Sequence, residues 1–176
     1  MGGIPGLGKS TWIKNHEQFF EGTVKVISRD QIRFSLLKDS DEYFSKEGEV
    51  WVEYVNQAIK SLKENDNTIL DATHLNFNSR NKIIRALGKN LKDVDVNIIF
   101  FIGDLALALK RNAQRTGRAL VPESTIINMY RSIDLPSYEL EPYLDNLYIV
   151  NMNNINDQII NVTKPTENKY YEKESV

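Results

Sequence analysis

Lys9, Ser10, Asp30, Arg33, Asp71 and Arg115 are the side chains whose types and spacing can carry a reaction, and the reaction they suit is phosphoryl transfer. That chemistry asks a protein for position and for charge compensation at the transferring group more than for covalent help. Gly3-Ile4-Pro5-Gly6-Leu7-Gly8-Lys9-Ser10 fits the phosphate-loop pattern G-x-x-x-x-G-K-[ST]. Gly3, Gly6 and Gly8 let the backbone curl so that successive N–H groups face one anion. Pro5 and Leu7 complete the loop, Lys9 brings a mobile positive charge, and the Ser10 hydroxyl suits Mg²⁺. A helix starting near Lys9 turns its N-terminal dipole toward the same phosphates, with Thr11 in its first turn. ATP and Mg²⁺ are the ligands this loop implies.

The remaining candidates are weaker one by one. Asp30 follows a β-branched run, where its carboxylate can deprotonate an acceptor hydroxyl; it fits the N-cap of a following helix as well. Arg33, three residues on, shares a helix side with Asp30 and can grip a neighbouring phosphate or merely pair with that carboxylate. Asp71 ends an apolar strand and is a candidate metal partner through water, or a turn residue. Thr73, two residues on, is a candidate acceptor contact with Asp30 and Arg33. Lys110 through Arg118 holds four cations and no acid. This composition suits a lid at about 110–122 that delivers Arg111 and Arg115 to ATP, or a solvated helix end. Arg80, Lys82, Arg85, Lys89 and Lys92 read as a solvated face. His16 and His74 lack metal-ligand spacing, and Trp12, Trp51 and the phenylalanines read as core rather than base-stacking residues.

The elements that must position these groups alternate. Strands are expected at 23–28, 67–71, 95–102 and 147–150, and helices at 9–20, 48–64, 78–91, 104–115 and 122–133. Such alternation predicts an α/β fold, a parallel sheet with helices on both faces, whose ligands bind beyond the carboxyl ends of the strands. The loop at 3–10, Asp30 and Asp71 all fall at that end. Residues 1–162 are expected to form one kinase domain and 163–176 a polar, frayed tail.

The chain has 176 residues, 41% hydrophobic and 26% charged, enough for one domain with a sizeable core. Without cysteine, neither disulfides nor thiolates contribute. No apolar run reaches a membrane span, and a reducing cytoplasm is the expected setting. The formal charge of −2 excludes broad attraction to polyanions, so any nucleic-acid contact must be local.

Taken together, the phosphate loop, Ser28-Arg29-Asp30-Gln31-Ile32-Arg33, Asp71-Ala72-Thr73-His74-Leu75-Asn76, Lys110 through Arg115 and Ala119-Leu120-Val121-Pro122 resemble the kinase domain of bacteriophage-type polynucleotide 5′-kinases over about residues 3–135. The resemblance implies a P-loop fold and ATP-dependent phosphorylation of a 5′-hydroxyl on DNA or RNA in nucleic-acid repair, in a bacterial or phage-infected cell, with a ligase as functional partner. It makes Lys9 and Ser10 the phosphate and metal residues, Asp30 the base, Arg33 the clamp on the acceptor's adjacent phosphate and Arg115 the lid arginine. In that family an apolar central strand precedes the loop; only Met1 and Gly2 do here, so the first strand is expected to be missing and the natural start to lie upstream. A P-loop kinase of a small metabolite or a tRNA-linked acceptor, and a non-catalytic nucleotide-binding remnant, are the competing readings.

Overall fold

The computed structural model describes residues 1–153 and 158–164. After the loop come α1 (Lys9–Asn15), a 3₁₀ turn (Glu17–Phe19), β1 (Val24–Ser28) and α2 (Arg29–Leu36). Then follow α3 (Glu47–Glu64), β2 (Asn67–Asp71), α4 (Phe77–Leu87), β3 (Asn97–Ile102) and α5 (Leu105–Asn112). A 3₁₀ turn (Gly117–Ala119), α6 (Glu123–Arg131), β4 (Asn146–Asn151) and β5 (Gln158–Val162) complete the order. The expected tail lies, from residue 165 on, outside the described residues.

The α/β architecture holds, with parallel pairing of β1 with β2 and of β3 with β4. One departure is β5, which runs antiparallel to β4 at the edge. Its Ile159, Ile160 and Val162 are β-branched, but the run is short and lies among asparagines, and the sequence reading places no strand there. The expected helices at 9–20 and 104–115 are shorter: α1 stops at Asn15 and α5 at Asn112, which leaves Arg115 in a loop.

Strand alternation sends side chains to two cores. On one face Val24, Val26 and Ile69 pack with Ile4, Trp12, Ile13, Phe101, Ala108 and Ile126. On the other, Ile27 and Leu70 pack with Val50, Tyr54, Ala58, Ile83 and Leu87. Helices α1, α5 and α6 thus cover one face, and α2, α3 and α4 the other.

The sheet is divided into a β1–β2 pair and a β3–β4–β5 triplet. Residues 1–3 lie between them and bond to both sides: Met1 N to Leu70 O at 2.8 Å, Gly2 N to Ile99 O at 3.0 Å and Gly3 N to Thr73 O at 2.8 Å. Alongside, β2 and β3 flank a cavity of about 590 Å³ lined by Ala58, Leu62, Ile83 and Leu87 among others. The division falls where the family resemblance implies a central strand. Burial holds the Met1 ammonium at about 6, despite the nearby Asp71 carboxylate.

The second basic stretch is not simply a solvated face. Arg80 is buried and pairs with the fully buried Glu141. Its Nη1 also donates to Asp134 O at 2.8 Å. Helical spacing turns one cation of that run inward, and its partner lies far along the chain.

Candidate active site

The loop is shaped by glycine where geometry demands it. Gly6 has φ +86°, and a Cβ there would lie 2.3 Å from Ala108 O, so neither the conformation nor the space admits a side chain. Arg111, on the last turn of α5, donates to Leu7 O at 3.1 Å and braces the loop. Lys9 Nζ donates to Gly3 O at 2.8 Å and Ile4 O at 3.1 Å. Burial lowers the Lys9 ammonium to about 8, while Asp71 and Asp30 act against that shift. Both carboxylates therefore lie within the electrostatic reach of Lys9.

Ser10 Oγ donates directly to Asp71 Oδ2 at 3.1 Å. Asp71 does not cap the next helix; Asn76 does, in a reciprocal capping box with Ser79. A hydroxyl and a carboxylate oxygen form a hard donor set that fits Mg²⁺, which uses one or two carboxylates together with substrate phosphates. Ser10 and Asp71 are the residues that would hold it. Among the described residues no cluster of three or more His, Cys, Asp or Glu forms a metal cage.

Asp30 is not a cap either. Ser28 fills that place, its Oγ 3.5 Å from Gln31 N, which leaves the Asp30 carboxylate directed outward with two-thirds of its side chain exposed. Arg33 Nη1 pairs with Asp30 Oδ1 at 2.5 Å, and Tyr43 Oη donates to the same oxygen at 3.3 Å. Burial and the Asp30 charge raise the Tyr43 phenol, so it remains a donor.

Arg33 departs from the sequence expectation of a free phosphate clamp. It is 6% exposed and also binds Glu47 through Nε at 2.7 Å, and Arg29 holds the second Glu47 oxygen at 2.7 Å. Two carboxylates thus occupy its guanidinium, which holds Asp30 Oδ1 on one side and Glu47 on the other. Glu47 and Tyr43 are site residues that the sequence reading missed.

Thr73 meets the loop through its backbone, where its carbonyl accepts from Gly3 N. The neighbouring His74 has φ +40°, is buried and bonds Tyr54 Oη through Nε2 at 3.1 Å. Burial pushes its imidazole down to about 3, so it is neutral near pH 7.

Residues 113–121 leave α5 and return clasped at the base. Asn112 Nδ2 donates to Val121 O at 2.7 Å and Val121 N to Asn112 Oδ1 at 3.1 Å. Arg115 lies within electrostatic range of Lys9, which its charge depresses. Arg118 crosses to the end of α2, donating to Leu37 O at 3.2 Å and Lys38 O at 2.5 Å. Residues 113–121 and the Asp30-bearing helix are therefore tied together.

A phosphate loop braced by a basic segment, a Ser–Asp pair beside it and an exposed carboxylate at the next strand end define a P-loop kinase-like nucleotide-binding domain. The chain belongs to the AAA domain family, whose model matches residues 1–136. Its fold is similar to the crystal structure of a gluconokinase from Sinorhizobium meliloti 1021. That match has a TM-score of 0.55 at 15% identity and covers 86% of this chain and 79% of the other. At such identity the likeness concerns the fold alone. Among the described residues no helix is long and apolar enough to cross a membrane.

Proposed function

We propose that this protein is an ATP-dependent kinase that transfers the γ-phosphoryl group to an alcohol, with Asp30 as the base. The observation that carries the reading is the setting of Asp30: exposed, past the carboxyl end of β1, oriented by Arg33 and Tyr43, and within electrostatic reach of Lys9. Asp30 takes the proton of the attacking hydroxyl. Lys9 and Arg115 balance the charge of the transferring phosphoryl, and Ser10 with Asp71 supplies the Mg²⁺ position. Mg²⁺, when bound, would neutralise phosphate charge.

For the acceptor, we favour a 5′-hydroxyl end of DNA or RNA. The support is the combination of motifs at 3–10, 28–33, 71–76 and 110–122, together with an exposed base that a large substrate can approach. A ligase acting on the product would fit the same reading. A small hydroxylated metabolite is the second acceptor reading, and two observations favour it: Arg33 is closed into carboxylate pairs instead of facing an acceptor phosphate, and the similar fold is that of a gluconokinase.

The test is competition between acceptors for γ-labelled phosphate. A 5′-hydroxyl oligonucleotide, gluconate and an unmodified tRNA are offered together. Label on the oligonucleotide, undiminished by gluconate, supports the first reading; label on gluconate with a bare oligonucleotide supports the second.

A further inference from the structure

The connector between α2 and α3 places aromatic rings beside the proposed base. Tyr43, whose hydroxyl donates to Asp30, stands edge-on to Phe44 with ring centroids 4.7 Å apart and planes at 81°. Phe34 meets Tyr43 from another side at 6.2 Å. The Arg33 guanidinium carbon lies 4.7 Å from the Tyr43 ring centre and 5.6 Å from that of Phe44. One cation therefore touches the base and both rings. Phe44 is 60% exposed, although the sequence pattern assigns the phenylalanines to the core.

A single exposed apolar residue is ordinary on a protein surface. This one differs in where it stands, on a connector whose flanks are anchored. Lys46 Nζ donates to Leu36 O at 2.8 Å, Asp41 Oδ2 accepts from Lys38 N at 2.9 Å, and Arg118 fixes Leu37 and Lys38 from the lid. Tyr43 and Arg33 pack beside the ring, and a ring already packed on one side loses less freedom on binding.

We propose that Phe44, backed by Tyr43, is a stacking subsite for the nucleobase of the nucleotide that carries the acceptor hydroxyl. The proposal rests on Asp30 as the base of an alcohol kinase and names the acceptor class for that site. A planar base offers a π-face to Phe44 whatever its identity, so the subsite tolerates any sequence. A linear polyol offers no such face. The Phe44 ring is one side chain removed from the proposed base, through Tyr43, and the charges of Asp30 and Glu47 are already balanced by Arg33 and Arg29 together.

The experiment compares two oligonucleotide acceptors, one ordinary and one with an abasic 5′-terminal residue, using wild type, Phe44→Ala and Phe44→Trp. Stacking on an aromatic side chain contributes about 1–3 kcal/mol per base, so Phe44→Ala should lower kcat/KM for the ordinary acceptor about 5- to 150-fold. Phe44→Trp should restore it. The abasic acceptor should be poor with wild type and no poorer with Phe44→Ala. An equal loss on both acceptors, or no loss on either, overturns the subsite.

A binding measurement without ATP separates this idea from the reading beneath it. A 5′-terminal 2-aminopurine should lose fluorescence on wild type and keep it on Phe44→Ala. Quenching without phosphoryl transfer to any acceptor leaves the subsite standing and overturns the kinase reading. Transfer to the oligonucleotide without quenching overturns the subsite alone.

Discussion

Replacing Arg80 by Met should remove a large share of the protein's stability. Arg80 is 4% exposed and Glu141 is 0% exposed, so solvent screens neither charge. The arginine also donates to Asp134 O and, at 3.4 Å, to His74 O, tying α4 to the chain that leads into β4. Removing one member of a buried pair leaves the other charge uncompensated and costs about 3–5 kcal/mol. That is about a fifth or more of the roughly 5–15 kcal/mol that holds a domain together. For a chain of this size the melting temperature should fall by about 6–20 °C. The double variant Arg80→Met/Glu141→Leu removes both charges and should recover most of the loss, falling short by about 1 kcal/mol for each backbone group left without its partner. Urea titration followed by the fluorescence of Trp12 and Trp51 measures all three proteins. A single variant that costs under 1 kcal/mol, or a double variant no more stable than the single, would refute the assignment of a buried, mutually dependent pair.

Other consequences are equally direct. Lys9 titrates near 8 in the folded chain against an ordinary value of 10.5. Between these values the unfolded chain holds more protons, so nucleotide-free stability should rise with pH. ATP affinity should fall over the same range, by up to about tenfold per pH unit, because phosphate binding requires the charged amine; calorimetry from pH 7 to 9.5 checks both signs. Gly6→Ala should abolish ATP binding, since the new Cβ would meet Ala108 O at 2.3 Å; nucleotide titration of the soluble variant tests this. Arg118→Ala should free the lid from α2, raising protease cleavage within 113–121 several-fold with little change in melting temperature, and Arg118→Lys should recover part of the protection.

The parts of the site written in consecutive residues are legible in the sequence itself. The phosphate loop is a local pattern, and Asp30 and Asp71 are marked by their place at strand ends. The fold decides the capping alternative there: Ser28 and Asn76 act as the caps, so neither aspartate does. What stays hidden depends on distant partners. Glu47 binds Arg33 from another helix, Glu141 binds Arg80 from 61 residues away, and Arg118 reaches carbonyls 80 residues behind it. No local period encodes those meetings. Phe44 reads as core by residue type, yet its connector leaves it exposed beside Tyr43, a placement no local pattern encodes. The β-branched Ile159, Ile160 and Val162 of β5 are a weak strand signal on their own, and their antiparallel pairing with β4 is set by a partner that no local pattern names.

The most direct test of the kinase assignment is phosphoryl transfer from γ-labelled ATP to a 5′-hydroxyl oligonucleotide and to a panel of polyols, with wild type beside Asp30→Asn. The asparagine keeps the shape and loses the base. Transfer should occur with wild type and fall at least ~100-fold with Asp30→Asn, while ATP affinity stays within about twofold because Asp30 lies outside the phosphate loop. Near-normal transfer by Asp30→Asn, or ATP bound by wild type with no acceptor labelled, would contradict it.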